Sequence, residues 1–182
     1  MTPRPPLRTA HTAELGADGL RSVRALLDAA FDGGFSDEDW DHTLGGLHVL
    51  VQDGQGVAAH GSVVMRRTRH RGRWLRTGYV EAVAVRADVR RTGLGGRVMG
   101  ALEGIVDRAY DLGALSASEA GAALYASRGW QRWAGQVHGL SPDGIVRLAE
   151  EEGGIHLWPA RDGEPLDPRH ELVLDWRDGD VA

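Results

Sequence analysis

The hydrophobic pattern changes period along this chain, and each change predicts a different element. Between Gly19 and Phe31, Leu20, Val23, Leu26, Leu27 and Ala30 fall on one face at helical spacing, with Asp18 placed to cap the first turn. Gly33-Gly34 stops that helix. Ser36 is a second N-cap, and the acidic turn Asp37-Glu38-Asp39 opens a short helix to Leu44. From Leu47 the pattern becomes extended. Leu47–Gln52, Val57–Arg69 and Trp74–Val85 predict three strands, joined at Asp53-Gly54 and Arg71-Gly72 into an antiparallel meander. Helical spacing returns from Gly93 to Tyr110, followed by a short strand, Ala114–Ser116. A helix over Glu119–Arg128 is bracketed by Ser118 as N-cap and Gly129 at C′. Thr9–Glu14 is expected as an edge strand and Trp130–Leu140 as extended chain. Ser141–Gly154 reads as a polar surface excursion, and Ile155–Trp158 and His170–Asp175 as the last strands.

No repeat or long linker divides these elements, so residues 1–182 are expected to form a single domain behind a short arm, Met1–Arg8. That arm lacks the apolar segment of a signal peptide, and no apolar run reaches the roughly 18–20 residues that span a bilayer. The absence of cysteine excludes disulfides, thiolate metal sites and a cysteine nucleophile, and suits a reducing cytoplasm. His42, His48, His60, His70, His138, His156 and His170 show no metal-ligand spacing; they read as structural or exposed, and no metal is expected.

The net charge of −5 disfavours nucleic acid as a partner. Its distribution is more informative. Positive charge gathers between Arg66 and Arg76 and between Arg86 and Arg97; negative charge gathers at Asp32–Asp41, Glu150–Glu152 and Asp175–Asp180. One basic region and several acidic ones suit a protein that holds an anionic cofactor and a cationic acceptor.

The basic stretch contains Arg90-Arg91-Thr92-Gly93-Leu94-Gly95-Gly96, between an apolar strand and a long helix. Backbone amides at such a helix start converge on one concavity that takes phosphate oxygens. Taken alone, Gly-x-Gly also fits an ordinary surface turn; the strand before it and the helix after it favour phosphate. Glu81 is a second candidate, because it interrupts the apolar run Val80–Val85 and a buried carboxylate needs a partner or a purpose. An edge-strand glutamate facing solvent is the alternative.

The spacing of Arg90, Gly93 and Gly95, with Leu124-Tyr125-Ala126-Ser127-Arg128-Gly129-Trp130 downstream, resembles the GCN5-related N-acetyltransferases (GNAT). The resemblance implies an α+β (α/β) fold: a central, mostly antiparallel mixed sheet, splayed at the cofactor strand and flanked by about four helices. It implies acetyl-CoA as cosubstrate. Coenzyme A would be held by the backbone of Val83, Ala84 and Val85 and by the loop Arg90, Arg91, Thr92, Gly93, Leu94, Gly95 and Gly96. The Val83 amide would face the thioester oxygen. Glu81 would be the general base and Tyr125 the general acid, although Tyr125 also suits an amphipathic core position.

Four segments carry a narrower resemblance, to the aminoglycoside 2′-N-acetyltransferases: Asp39–Gly46, Gly78–Asp88, Tyr125–Trp130 and Asp175–Arg177. This second resemblance implies acetylation of the 2′-amine of an antibiotic, resistance, and a homodimer. Acceptor contacts would come from Asp39, Glu81, Ala82, Ser116, Glu151 and Asp180. Asp39 equally suits the helix dipole, and Glu150–Glu152 a solvated acidic loop. Two positions depart from the resemblance: Gly34 stands where an acidic residue is expected, and Val181-Ala182 where an aromatic end is expected. Two other functions remain compatible with the residues: acetyl transfer to a different cationic amine (a polyamine, an amino sugar or a peptide), and a non-catalytic acyl-CoA-binding module.

Overall fold

A computed structural model describes residues 5–159, 165–179 and 181. The chain packs into two compact units: residues up to Val64 with Val80–Leu102, and Met65–Tyr79 with the residues from Glu103 onward.

In the first unit, β1 (Leu7–His11) pairs antiparallel with β2 (Leu47–Asp53), and β2 pairs antiparallel with the first half of β3 (Gly56–His70). The second half of β4 (Arg73–Val85) completes it. The helical stripe read from the sequence is the buried one. Val23, Leu26 and Leu27 of α1 (Thr12–Ala30) pack with Phe35, Leu50, Val57 and Ala84, and Ala82 lies against the same cluster. Trp40 of α2 (Asp37–His42) covers its margin.

Local capping corrects the sequence boundaries here. The expected strand Thr9–Glu14 ends at His11, because Glu14 accepts the His11 amide at 2.6 Å and the His11 ring accepts that of Ala13, which starts a helix. Leu7 and Arg8, expected in the leading arm, belong to β1. Gly16, at φ 65° and ψ 173°, then breaks α1 just before the capping residue expected at Asp18. The second helix stops two residues short of Leu44, where the Thr43 hydroxyl donates to Trp40 O at 2.7 Å.

In the second unit the strand order is β6-β9-β5-β4-β3-β10-β7-β8. These are β5 (Leu112–Ser116), β6 (Gln131–Arg132), β7 (Val137–Ser141), β8 (Gly144–Arg147), β9 (Ile155–Pro159) and β10 (Leu172–Asp175), with the first half of β4 and the second half of β3. Pairing is antiparallel except β4 with β5 and β10 with β7. The β4–β5 ladder runs from Thr77↔Leu112 to Tyr79↔Ala114 and stops there.

Helix α3 (Leu94–Ala109) passes from the first unit into the second, and α4 (Glu119–Arg128) ends at Gly129 in the left-handed conformation, φ 98°. The stretch expected as a surface excursion instead carries β8, which pairs with β7, and a 3-10 turn, Ala149–Glu151. The strand expected from Ala114 begins at Leu112, which is buried against Thr77 of β4. Among the described residues no helix is long and apolar enough to cross a membrane.

Arg66 shows how tightly the second unit is tied. It is 4% exposed, and its guanidinium donates to the Asp175 carboxylate (2.8 Å), Asp175 O (2.6 Å) and Val181 O (2.7 Å) while lying 4.7 Å from the centre of the Tyr79 ring. Bidentate, cation–π-stacked recognition of this kind is specific to arginine. In the first unit the tightest approach is at Gly46, where an added Cβ would lie 2.1 Å from Val63 O. The obstacle is backbone and cannot rotate away. Gly46→Ala should therefore lower unfolding free energy by about 2 kcal/mol or more, read as a shift of the urea midpoint at constant m-value.

Candidate active site

Within the first unit, β4 brings Glu81, Ala82, Val83, Ala84 and Val85 onto one strand that runs directly into the basic loop. Ala84 and Ala82 pack toward α1, whereas the Val83 side chain lies on the other face, beside Gly61. An added Cβ at Gly61 would come within 2.9 Å of Val98 and Leu102, so the glycine is what lets α3 lie close on the sheet. Ala82 breaks the extended backbone at φ 50°. Its carbonyl accepts from His60 Nδ1 at 2.9 Å.

After β4, the 3-10 turn Ala87–Val89 leads to the loop. Arg91 and Gly93 both take left-handed conformations, at φ 62° and 88°. Such a conformation costs roughly 1–2 kcal/mol for a residue with a Cβ, and strain of that kind clusters at ligand sites. Leu94, Gly95 and Gly96 form the first turn of α3, where amides have no acceptor within their own helix; the Arg97 amide already reaches Gly93 O. Arg90 Nε donates to Val85 O at 3.1 Å and the Thr92 hydroxyl to Val89 O at 2.6 Å, so both side chains shape the loop. This geometry fits a diphosphate: converging helix-start amides, bare glycines for close approach, and cationic neighbours.

Sequence reasoning missed Arg86. It stands at the exit of β4 and holds the loop's approach, donating to Asp53 (2.7 and 3.1 Å) and Asp88 (2.7 and 3.1 Å). Its proximity holds both carboxyls below the usual carboxylate range. The signal was present in the spacing, as an arginine two residues before an aspartate at a strand end, but Asp53 joins them only through the β2–β3 hairpin.

In the second unit, Tyr125 sits on α4, buried between Trp130 and His156 with ring centres 6.2 and 6.3 Å away. Burial pushes its hydroxyl up to about 12, so it stays protonated throughout the physiological range. The end of α4 is fixed by Glu103, a buried carboxylate on α3 that accepts from Arg128 Nε (2.7 Å), from Arg128 Nη2 and from Trp130 Nε1 (3.0 Å). Removing one partner of such a pair strands a buried charge. Glu103 lies among core-facing Met99, Leu102 and Val106, and a carboxylate in that stripe was the overlooked signal.

The acceptor residues expected from the sequence separate by element. Asp39 serves as a cap: its Oδ2 accepts the Ser36 amide at 2.9 Å. Ser116 ends β5 opposite Ile155, and an added Cβ on Gly154 would lie 3.4 Å from its hydroxyl. Glu151 is in the neighbouring 3-10 turn, its carbonyl accepting the Gly154 amide at 3.1 Å, so Ser116 and Glu151 converge on one tight turn. Asp180 lies outside the described residues. A cleft of about 810 Å³ opens elsewhere in the second unit, lined by Arg73, Arg76, Arg108 and Asp111 among others, and none of the expected site residues line it.

The family model for the acetyltransferase (GNAT) domain matches residues 12–133. The chain belongs to the GNAT acetyltransferase family. A curated relative, the aminoglycoside 2′-N-acetyltransferase of Mycolicibacterium fortuitum, is 44% identical over 176 residues, 96% of this chain and 90% of that one. Among solved structures, the GNAT family N-acetyltransferase YhbS of Escherichia coli, in complex with CoA, superposes with a TM-score of 0.67 at 16% identity, over 98% of this chain and 93% of that one. E. coli ElaA gives 0.58 at 18% identity, over 84% and 98%. Structural likeness at these identities shows the GNAT fold, here a mostly antiparallel mixed sheet with four α-helices among the described residues.

Two histidines of this GNAT domain titrate far from their ordinary value. Desolvation pushes His60 down to about 3 and His48 to about 4, the nearby His11 adding to the second shift. In the unfolded chain both would take a proton near 6.5. Between these limits the unfolded state binds more protons, so stability is complete above about pH 6.5 and falls as pH drops toward the folded values. Urea titrations between pH 7.5 and 5 should show unfolding that takes up about one to two protons; a flat profile over that range would contradict neutral burial of the pair.

Proposed function

We propose that this chain transfers the acetyl group of acetyl-CoA to the 2′-amine of aminoglycoside antibiotics and so confers resistance. The observation that carries the reading is the continuity of β4, the strained basic loop and the start of α3, in a chain 44% identical along nearly its whole length to an aminoglycoside 2′-N-acetyltransferase.

Acetyl-CoA supplies an activated acetyl as its thioester. The loop Arg90–Gly96 holds the diphosphate, and the backbone of β4 at Val83–Val85 aligns the pantetheine arm as an added strand. A ligand ammonium with a pKa near 10 is mostly protonated at neutral pH. Through a water Glu81 takes that proton first; the freed amine then forms the nitrogen–carbon bond as the carbon–sulfur bond breaks, and the second proton on the nitrogen leaves to solvent as the amide forms. The Val83 amide donates to the thioester oxygen as charge builds there. Tyr125 is the group assigned to the departing sulfur. A hydroxyl raised to about 12 does not give up its proton to a thiolate of ordinary basicity near 8.5, so its contribution is a hydrogen bond that stabilises the leaving thiolate, which takes any proton from solvent after release.

Binding a polycationic, polar acceptor calls for carboxylates and hydroxyls rather than an apolar pocket. Asp39, Glu81, the Ala82 backbone, Ser116, Glu151 and Asp180 provide that set. Gly34, in place of an acidic residue, removes one charged contact, worth roughly 1.5–3 kcal/mol, which shifts affinity among drugs rather than abolishing it. The enzyme works in the cytoplasm, in keeping with its lack of cysteine, and as a homodimer. The exposed edge strand β8, with Ile145 and Val146 open to solvent, supports a second copy as partner.

The test is mass spectrometry of paired aminoglycosides, with and without a 2′-amine, after incubation with acetyl-CoA. Acetylation restricted to the 2′-amines supports the proposal; acetylation of both sets, or of neither, refutes it. Glu81→Gln should lower kcat/KM by about 10²–10⁴ and flatten the rise of rate with pH. Tyr125→Phe should lower kcat about tenfold or more at unchanged KM, measured where product release does not limit turnover.

A further inference from the structure

The buried pair His48 and His60 has no part in the chemistry above, yet its hydrogen bonds end on the strand that carries it. Their direction is fixed at one end by a carbonyl. Ala82 O can only accept, so His60 Nδ1, at 2.9 Å, bears the proton. His60 Nε2 is then an acceptor, and His48 Nδ1, at 2.9 Å, donates to it. His48 Nε2, left as an acceptor, takes the single Thr12 hydroxyl proton at 2.8 Å in place of Gly46 O, the other acceptor within reach of that hydroxyl at 3.3 Å, and Thr12 Oγ1 accepts the Gly45 amide at 2.9 Å. Both rings are therefore neutral Nδ1–H tautomers, and every link points toward Ala82. The two rings are diagonal neighbours on one face of the β2–β3 ladder, where His48 opposes Ser62 and Leu50 opposes His60.

The carbonyl at the end of this relay belongs to the residue with the break in β4, Ala82 at φ 50°. A trans peptide points its C=O and its N–H in opposite directions. Whatever grips Ala82 O therefore aims the Val83 amide. We infer that His60, backed by His48 and Thr12, is a positioning residue that orients the Val83 N–H toward the thioester oxygen. This role rests on the acetyl-transfer reading above. A donor whose direction is set before the reaction stabilises developing charge without reorganising. The same carbonyl hydrogen bond also polarises the peptide, which strengthens the N–H as a donor.

Two measurements test the role. The first is read on the full chain alone: ¹⁵N-histidine NMR at neutral pH should show His48 and His60 with protonated Nδ1 and bare Nε2. Protonation of His60 at Nε2 would overturn the relay whatever the substrate. The second compares His60→Leu with His60→Asn, whose amide nitrogen occupies the place of Nδ1. His60→Leu should lower kcat about tenfold to a hundredfold, with KM for acetyl-CoA and for a 2′-amine aminoglycoside unchanged. His60→Asn should recover most of the loss. Wild-type turnover retained in folded His60→Leu, or equal losses in the two variants, would overturn the inference. If His60→Leu does not fold, the tautomers and His60→Asn turnover decide it: kcat of His60→Asn within about threefold of wild type supports the role, and a tenfold or greater loss overturns it. Wild-type protein that transfers no acetyl would sink the functional reading itself, and is recognisable because it affects every variant alike.

Discussion

A helix cannot satisfy the amides of its own first turn, and the site depends on where this chain puts one such turn. The strand β4 ends, a strained loop reverses the chain, and α3 begins with Leu94-Gly95-Gly96. Side chains there would block approach to the amides, so two of the three positions have none. The loop reaches its shape at the expense of left-handed backbone at Arg91 and Gly93, and it holds that shape through short polar ties. Arg86 binds two aspartates before the loop, Arg90 returns to Val85 O, and Thr92 closes on Val89 O. None of these ties is strong by itself, since most are partly exposed. Together they set the loop geometry before a ligand arrives.

The same strand has to satisfy opposite demands along its length. Toward α1 it must be apolar and small, hence Ala82 and Ala84 against the cluster of Leu26, Leu27 and Leu50. Toward α3 it must be flat, hence Gly61 on the neighbouring strand and Val83 beside it. Between them it carries one carboxylate, Glu81, at the point where the backbone breaks. In the second unit, the equivalent burden falls on Glu103, which ties the end of α4 to α3 and so fixes the helix that bears Tyr125.

Much of this was legible in the amino-acid sequence because it is local. Helical spacing gave α1 and α3, Ser118 and Gly129 bracketed α4 to the residue, and the meander β2–β4 followed from alternation and two glycine turns. The loop was legible for the same reason: its glycines and arginines are consecutive. What escaped was set by register or by distance along the chain. His48 and His60 meet only once β2 and β3 are paired, Asp53 reaches Arg86 across a hairpin, and the parallel pairing of β7 with β10 joins residues far apart in sequence. The helix start at Thr12 depends on a capping contact from His11 that a histidine, an uncommon N-cap, did not advertise. Ser141–Gly154 read as a loop because β8 is exposed throughout and so lacks the alternation that marks a half-buried strand.

On the proposed reading, coenzyme A is held by the amides at the start of α3. Hydrogen exchange of Gly93, Leu94, Gly95 and Gly96, measured with and without coenzyme A, addresses them directly. Bound coenzyme A should slow exchange at these positions by at least tenfold, and more than at the exposed amides of β8. Exchange that coenzyme A leaves unchanged, at concentrations where acetyl transfer saturates, would place the diphosphate elsewhere and contradict the account.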